Sequence, residues 1–177
     1  MKSLRTRDIA RMGLLAAAAV VLFVFESLAP RPLPWMKLGL GNLPVVLGLS
    51  LYGPSAALVI SLLKLFLGGL LSGAWAGPSF FIGGVAGLCS WLVMAIAWKW
   101  GRSYFSEVGL SVWGALTHQV SQLAVAYIYI GQIALFSLLP LALLSALLSG
   151  ILIGLLAYWV RARWSGERFF KSEFEGS

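Results

Sequence analysis

Charged residues are scarce in this chain of 177 residues, and their scarcity excludes an ordinary soluble domain. They make up 11% of the sequence, whereas hydrophobic residues make up 60% and the mean hydropathy is +0.91. Soluble proteins average about a quarter charged residues. The net charge of +7 does not indicate nucleic-acid binding, because the basic residues lie at the chain ends and in short connections between apolar runs. We therefore predict an integral membrane protein with no nucleic-acid partner.

Several chemical motifs are also missing. The only aspartate is Asp8, so the chain lacks the clustered aspartates with which prenyl diphosphate synthases hold magnesium and diphosphate. It contains neither a Gly-x-x-x-x-Gly-Lys-Ser/Thr nucleotide loop nor a paired Cys/His metal motif. Its single cysteine, Cys89, excludes an intrachain disulfide. We predict a protein that is not an enzyme, uses no cofactor or metal, and cannot energise transport by itself.

Six apolar runs predict an all-α, polytopic membrane fold with six transmembrane helices. A bilayer core of about 30 Å needs about 20 apolar residues per helix, and somewhat fewer where protein shields the helix. The runs place helices at about 9–28, 38–51, 56–71, 80–98, 110–130 and 138–160. In the second run, Gly39 and Gly41 weaken the first turn, and Pro44 interrupts the helix. We predict one transmembrane domain over 1–164 and a polar cytoplasmic tail over 165–177, frayed or disordered.

The first apolar run has a second interpretation, as a signal peptide. Residues 27–29 read Ser-Leu-Ala, which is similar to a small-residue cleavage site. The run is longer than the apolar core of about 7–15 residues that such signals use. We therefore predict a retained helix, and a mature N-terminus near Pro30 would show the opposite.

The basic residues predict the orientation of the chain. If both termini are cytoplasmic, ten Lys and Arg residues lie on the cytoplasmic side, two lie outside, and Lys64 lies within the membrane. Ten against two favours this orientation under the positive-inside rule. We predict a multi-pass protein of the cell membrane. The prolines of 30–34 then predict a stiff external link, and 73–78, with two glycines, a proline and a tryptophan, predict a mobile external flap.

Polar side chains within the apolar runs are the candidate functional residues. A charge at the centre of a spanning helix costs about 2.5–3.5 kcal/mol, so it needs a partner. Lys64 lies near the middle of the third run, and Glu26 lies near the outer end of the first. They either form a structural ion pair or belong to a functional site, and Glu26 has the further option of reaching the outer headgroups. Buried ionisable groups in membranes favour function.

The fifth run carries a polar cluster. His118 and Gln122 are four residues apart and share a helix face, and Thr117 and Ser121 beside them repeat that spacing. Asn42 falls at a similar depth. Interhelical hydrogen bonding, worth about 0.6 kcal/mol per contact, explains one or two such residues more readily than the whole set. We predict one small-molecule site with no catalytic residue, formed by Glu26, Lys37, Asn42, Lys64, Thr117, His118, Gln119, Ser121 and Gln122.

Stripes of small residues occur in three of the runs. Gly83-x-x-x-Gly87 and Ala146-x-x-x-Gly150-x-x-x-Gly154 predict close helix packing. The first run has a similar stripe, for which docking of another membrane subunit is the alternative; it comprises Ala10, Gly13, Ala16 and Ala17.

Four short motifs carry a resemblance to a known family. They are Glu26-Ser27 followed by prolines, Lys-Leu-Gly-Leu-Gly-Asn at 37–42, Leu-Tyr-Gly-Pro at 51–54, and His118-Gln119-x-x-Gln122. Over about 11–158 the chain resembles the Gx transporter family, also labelled heptaprenyl diphosphate synthase component I. That family is similar to the S components of energy-coupling factor transporters. It usually has Ala at position 41 and Asn at 119. We expect Gly41 to matter little and Gln119 to alter ligand choice.

The resemblance implies a six-helix S-component fold with an external pocket. It implies a subunit that binds a small organic solute and docks onto a transmembrane T component driven by two cytoplasmic ATPases. A second hypothesis is a membrane accessory subunit for isoprenoid, heptaprenyl diphosphate or quinone biosynthesis. A third, an enzyme using His118 as base and Lys64 as electrophile, has no motif to support it. Co-purifying proteins distinguish the first two.

Overall fold

A computed structural model describes residues 6–28, 39–101 and 105–174, with side chains described as far as Trp164. Within these ranges the chain forms six α-helices, which confirms the predicted all-α membrane bundle. They are α1 (Thr6–Leu28), α2 (Leu43–Tyr52), α3 (Pro54–Leu71), α4 (Pro78–Gly101), α5 (Glu107–Ile130) and α6 (Leu139–Phe174). A short 3-10 helix, Leu40–Asn42, precedes α2, and another, Ile133–Leu138, precedes α6.

The helices differ in how well they suit a membrane. Among the described residues, α1, α3, α4 and the segment Ile133–Trp164 are long and apolar enough to cross one. Helix α5 has 24 residues but is not among these candidate spans, because the polar cluster in its middle lowers its mean hydropathy. Helix α2 has only 10 residues, or about 15 Å, and cannot span a core of about 30 Å alone. The chain is therefore multi-pass, with one half-length helix.

Protein surrounds this half-length helix. Every residue from Pro44 to Ser50 is buried, and α2 contacts α1, α3, α5 and α6. A helix that ends inside the membrane is tolerated where protein covers its exposed backbone groups. Pro44 lies in the first turn, where its missing N–H costs no helical hydrogen bond. The prediction that Pro44 interrupts this helix is therefore wrong, because the proline helps to begin it.

The small-residue stripe of α6 lets two backbones come together. A Cβ added at Gly150 would lie 2.9 Å from Cα of Val112 on α5, and one added at Gly154 would lie 2.4 Å from Cα of Val108. Only glycine permits so close an approach. The prediction of close packing is confirmed for this stripe.

The stripe of α4 behaves differently. A Cβ added at Gly83 or Gly87 would meet nothing within 4 Å, so the prediction that this stripe packs against a helix is wrong. The stripe of α1 is divided, since Ala16 is buried and its other members, Ala10, Gly13 and Ala17, are exposed. Because these three positions are exposed, another subunit has room to dock there. The docking face on α1 stays a prediction.

Helix α6 is longer than the sequence predicts. Its backbone continues as helix past Trp164 to Phe174, so the expectation of a frayed or disordered tail is wrong up to that residue. Good helix formers such as Arg and Glu continue beyond the apolar run, and no proline stops them.

Two contacts close the bundle at the end where α1 and α5 begin. Glu107, 5% exposed in the first turn of α5, forms an ion pair with Arg161 of α6. Arg11 of α1 lies over the ring of Trp164, 5.4 Å from its centroid. These contacts link α1, α5 and α6 on the predicted cytoplasmic side.

Candidate binding site

A cavity of ≈ 190 Å³ opens at the opposite end of the bundle, where α1 and α3 end and α4 and α6 begin. This end is the predicted external side. Side chains from α1, the first 3-10 helix, α3, α4, α5 and α6 line the cavity. Six of the predicted site residues are among them: Glu26, Asn42, Lys64, His118, Gln119 and Gln122.

Two of the other three predicted residues lie away from the cavity lining, and the third falls outside the described residues. Thr117 and Ser121 are half-buried on α5 but are not among the residues that line the cavity. Successive residues of a helix are rotated by about 100°, so the face that carries His118 and Gln122 turns these hydroxyls away. Lys37 belongs to 29–38, which lies outside the described residues.

Residues 39–42, here called the entrance segment, are held by the two ionisable side chains that the sequence singles out. The backbone N–H of Gly39 donates a hydrogen bond of 2.5 Å to Oε1 of Glu26 on α1. Lys64 Nζ on α3 donates a hydrogen bond of 2.6 Å to Oδ1 of Asn42. Gly39 has φ of +74°, a conformation that favours glycine. Glu26 and Lys64 therefore position this segment while they line the cavity.

Gly41 brings the entrance segment close to both helices. A Cβ added there would lie 3.2 Å from Cβ of Phe23 and 3.3 Å from Cδ of Lys64. Both distances are shorter than ordinary van der Waals contact, so an alanine would require its neighbours to move by a few tenths of an ångström. The expectation that Gly41 matters little stays a prediction, and the short distance to the stem of Lys64 makes it testable by substitution.

Sequence reasoning missed the part of the wall that α4 and α6 supply. Gly83 and Gly87 create space, because they face the cavity instead of a helix. Ser145 and Ser149 of α6 also line it, and each hydroxyl donates to the carbonyl of the residue three positions earlier. Their oxygens keep acceptor capacity for a ligand. The spacing of four residues, the same as that of His118 and Gln122, was the available signal.

The predicted flap lies beside the cavity. Ala74 lines it, and its backbone N–H donates to the carbonyl of Gly69 at 2.9 Å. Trp75 packs against Phe66 and Phe80, with ring centroids 5.5 Å and 4.9 Å away, and Phe80 faces the cavity. Aromatic contacts thus hold the loop at the cavity wall. Its mobility stays a prediction.

A sequence model of the family described as heptaprenyl diphosphate synthase component I matches residues 15–160. The matched region includes every described residue that lines the cavity. The chain belongs to the heptaprenyl diphosphate synthase component I family. This match confirms the resemblance to heptaprenyl diphosphate synthase component I that the sequence motifs indicate. Searches of curated proteins and of solved structures find no match.

In this family member, the cavity offers the chemistry of binding. The part of its lining that the structure describes presents one carboxylate, one ammonium group, an imidazole, amides and hydroxyls, together with apolar side chains such as Phe23 and Leu65. Within the described ranges, no group of three or more His, Cys, Asp or Glu side chains is placed to hold a metal ion. The arrangement suits a small molecule held by several hydrogen bonds and two opposite charges.

Proposed function

We propose that the chain is the substrate-binding membrane subunit of an energy-coupling factor type transporter and captures a small organic solute. The observation that supports this most is the convergence of polar side chains from separate helices on one cavity. Polar and charged groups are costly in a membrane and mark ligand or ion sites when they face a shared hollow.

Each polar group has a role in capture. Lys64 and Glu26 compensate opposite charges on the solute, and Asn42, His118 and Gln122 donate or accept hydrogen bonds. Binding and release require no bond to be made or broken. The entrance segment and the loop at 73–77 flank the solute and restrict its exit.

Release into the cell requires energy. The sequence contains no nucleotide-binding loop, so another subunit must supply that energy. We propose docking onto a transmembrane T component that two cytoplasmic ATPases drive. The exposed small residues of α1, Ala10, Gly13 and Ala17, provide a face on which another helix can approach closely. The resemblance to S components supports this arrangement.

The family description favours a second candidate, a membrane accessory subunit for heptaprenyl diphosphate synthesis. In that role the cavity would hold the head group or part of the chain of a prenyl substrate while a soluble partner catalyses the reaction.

Affinity purification after gentle extraction separates the two candidates. We expect a T component and ATPases to co-purify, and Gly13→Leu to reduce their recovery, because the larger side chain occupies open space on α1 without disturbing a neighbour. Val59→Leu, on the exposed face of α3, is the matched control. Recovery of a soluble prenyl diphosphate synthase subunit without ATPases would contradict the transport proposal.

A further inference from the structure

The size of the cavity limits the solute. An engineered protein cavity of about 150 Å³ accepts benzene. At ≈ 190 Å³ the present cavity holds a molecule of about one ring with small substituents. A long polyprenyl chain would have to extend out of this open cavity.

The charges of the cavity wall limit the solute further. Among the described residues that line it, the ionisable side chains are Glu26, Lys64 and His118. Glu26 supplies a negative charge and Lys64 a positive one. Of these described side chains, a diphosphate would be attracted by Lys64 and repelled by Glu26, whereas a ligand with one charge of each sign can place each charge beside the side chain of opposite charge.

The two charged side chains bind different residues of the entrance segment. Glu26 lies at the Gly39 end of the entrance segment, and Lys64 lies at its Asn42 end. The rings of Phe23 and Phe80 supply apolar wall in the same cavity. The wall thus offers an acidic site, a basic site and a surface for an apolar body.

We propose that the solute is a small zwitterion of about one ring, with its carboxylate at Lys64 and its ammonium group at Glu26. This proposal rests on the proposed function of solute capture and names the class of solute.

Three size-matched probes test the class on the full chain in lipid nanodiscs. L-phenylalanine carries both charges, 3-phenylpropionate carries only the carboxylate, and phenethylamine carries only the ammonium group. Geranyl diphosphate is the fourth probe. We expect L-phenylalanine to bind at least about tenfold tighter than each of the others, since only this probe can form a charge-assisted hydrogen bond with both Glu26 and Lys64.

Charge-removing variants should change the order of the probes. Glu26→Gln should shift preference toward 3-phenylpropionate, and Lys64→Gln should shift it toward phenethylamine, each by about tenfold or more. Lys99→Gln, exposed at the other end of α4, removes the same charge and should leave the order unchanged. A folded variant is verified by its unchanged elution in size-exclusion chromatography.

The results separate the solute class from the function. Tightest binding of geranyl diphosphate, or an order that neither variant changes, would overturn the zwitterion. A wild-type chain that carries its ATPases but binds none of the first three probes would overturn the class and leave transport standing. Failure to recover the ATPases would count against transport, whatever the probes show.

Discussion

The two ends of the bundle use the same residue types in opposite ways. At the cavity end Gly83 and Gly87 face open space, whereas at the other end Gly154 lies against the backbone of α5. At the cavity end an acid and a base each bind the entrance segment, whereas at the other end Glu107 and Arg161 pair with each other. The environment of a glycine or a charge, more than its type, thus distinguishes the cavity end, here called the receptive end, from the packed end, here called the closed end.

A large side chain at Gly154, in the closed end, should cause the largest loss of stability among these variants. In Gly154→Leu the new side chain would begin 2.4 Å from Cα of Val108, so α5 and α6 must separate. Overpacking of this kind costs about 3 kcal/mol of unfolding free energy. Thermal unfolding in nanodiscs measures it. Gly87→Leu is the control, and an equal loss of stability there would show that the two stripes do not differ.

Breaking the ion pair of the closed end should cost somewhat less. Arg161→Ala leaves the carboxylate of Glu107 buried without its cation, and we expect a loss of about 2 kcal/mol, moderated because Arg161 is partly exposed. Arg163→Ala, on an exposed neighbour, is the control in the same unfolding assay. The double variant Glu107→Gln/Arg161→Met should recover part of the loss, and no recovery would show that the charge on Glu107 is not the cause.

Filling the receptive end should affect binding instead of folding. Gly83→Leu/Gly87→Leu places two side chains in the cavity, and we expect the solute retained after gentle extraction to fall by about tenfold or more, since the space it needs is occupied. Mass spectrometry of the purified protein measures this. Normal retention would show that the solute lies elsewhere.

The smallest effect is expected at the entrance segment. Gly41→Ala requires Phe23 and the Lys64 stem to move slightly, so we expect about 1 kcal/mol or less of lost stability and a change of a few-fold in solute affinity. Gly73→Ala is an unsuitable control because its φ is +70°, whereas Gly13→Ala fills open space at normal backbone geometry. Identical affinities for the Gly41→Ala and Gly13→Ala variants would remove Gly41 from the site.

Much of the site was predictable because polar groups are costly in a membrane. Lys64, Asn42 and His118 stand out in apolar runs, and counting along each helix places them at similar depths. That Gly83 and Gly87 line the cavity was not predictable from the sequence. The same spacing packs two helices together where a second helix lies opposite, and leaves open space where none does. Pro44 was misread for a related reason: its effect depends on where the helix begins, which the apolar run does not mark.

The direct test of a single shared site is solute retention by the variant Asn42→Ala/His118→Ala/Gln122→Ala. The variant Thr117→Ala/Ser121→Ala, on the other face of α5, is the matched control. Mass spectrometry of both proteins after gentle extraction should show the solute lost from the first and kept by the second. Undiminished retention in the first variant would show that these side chains do not bind the solute together.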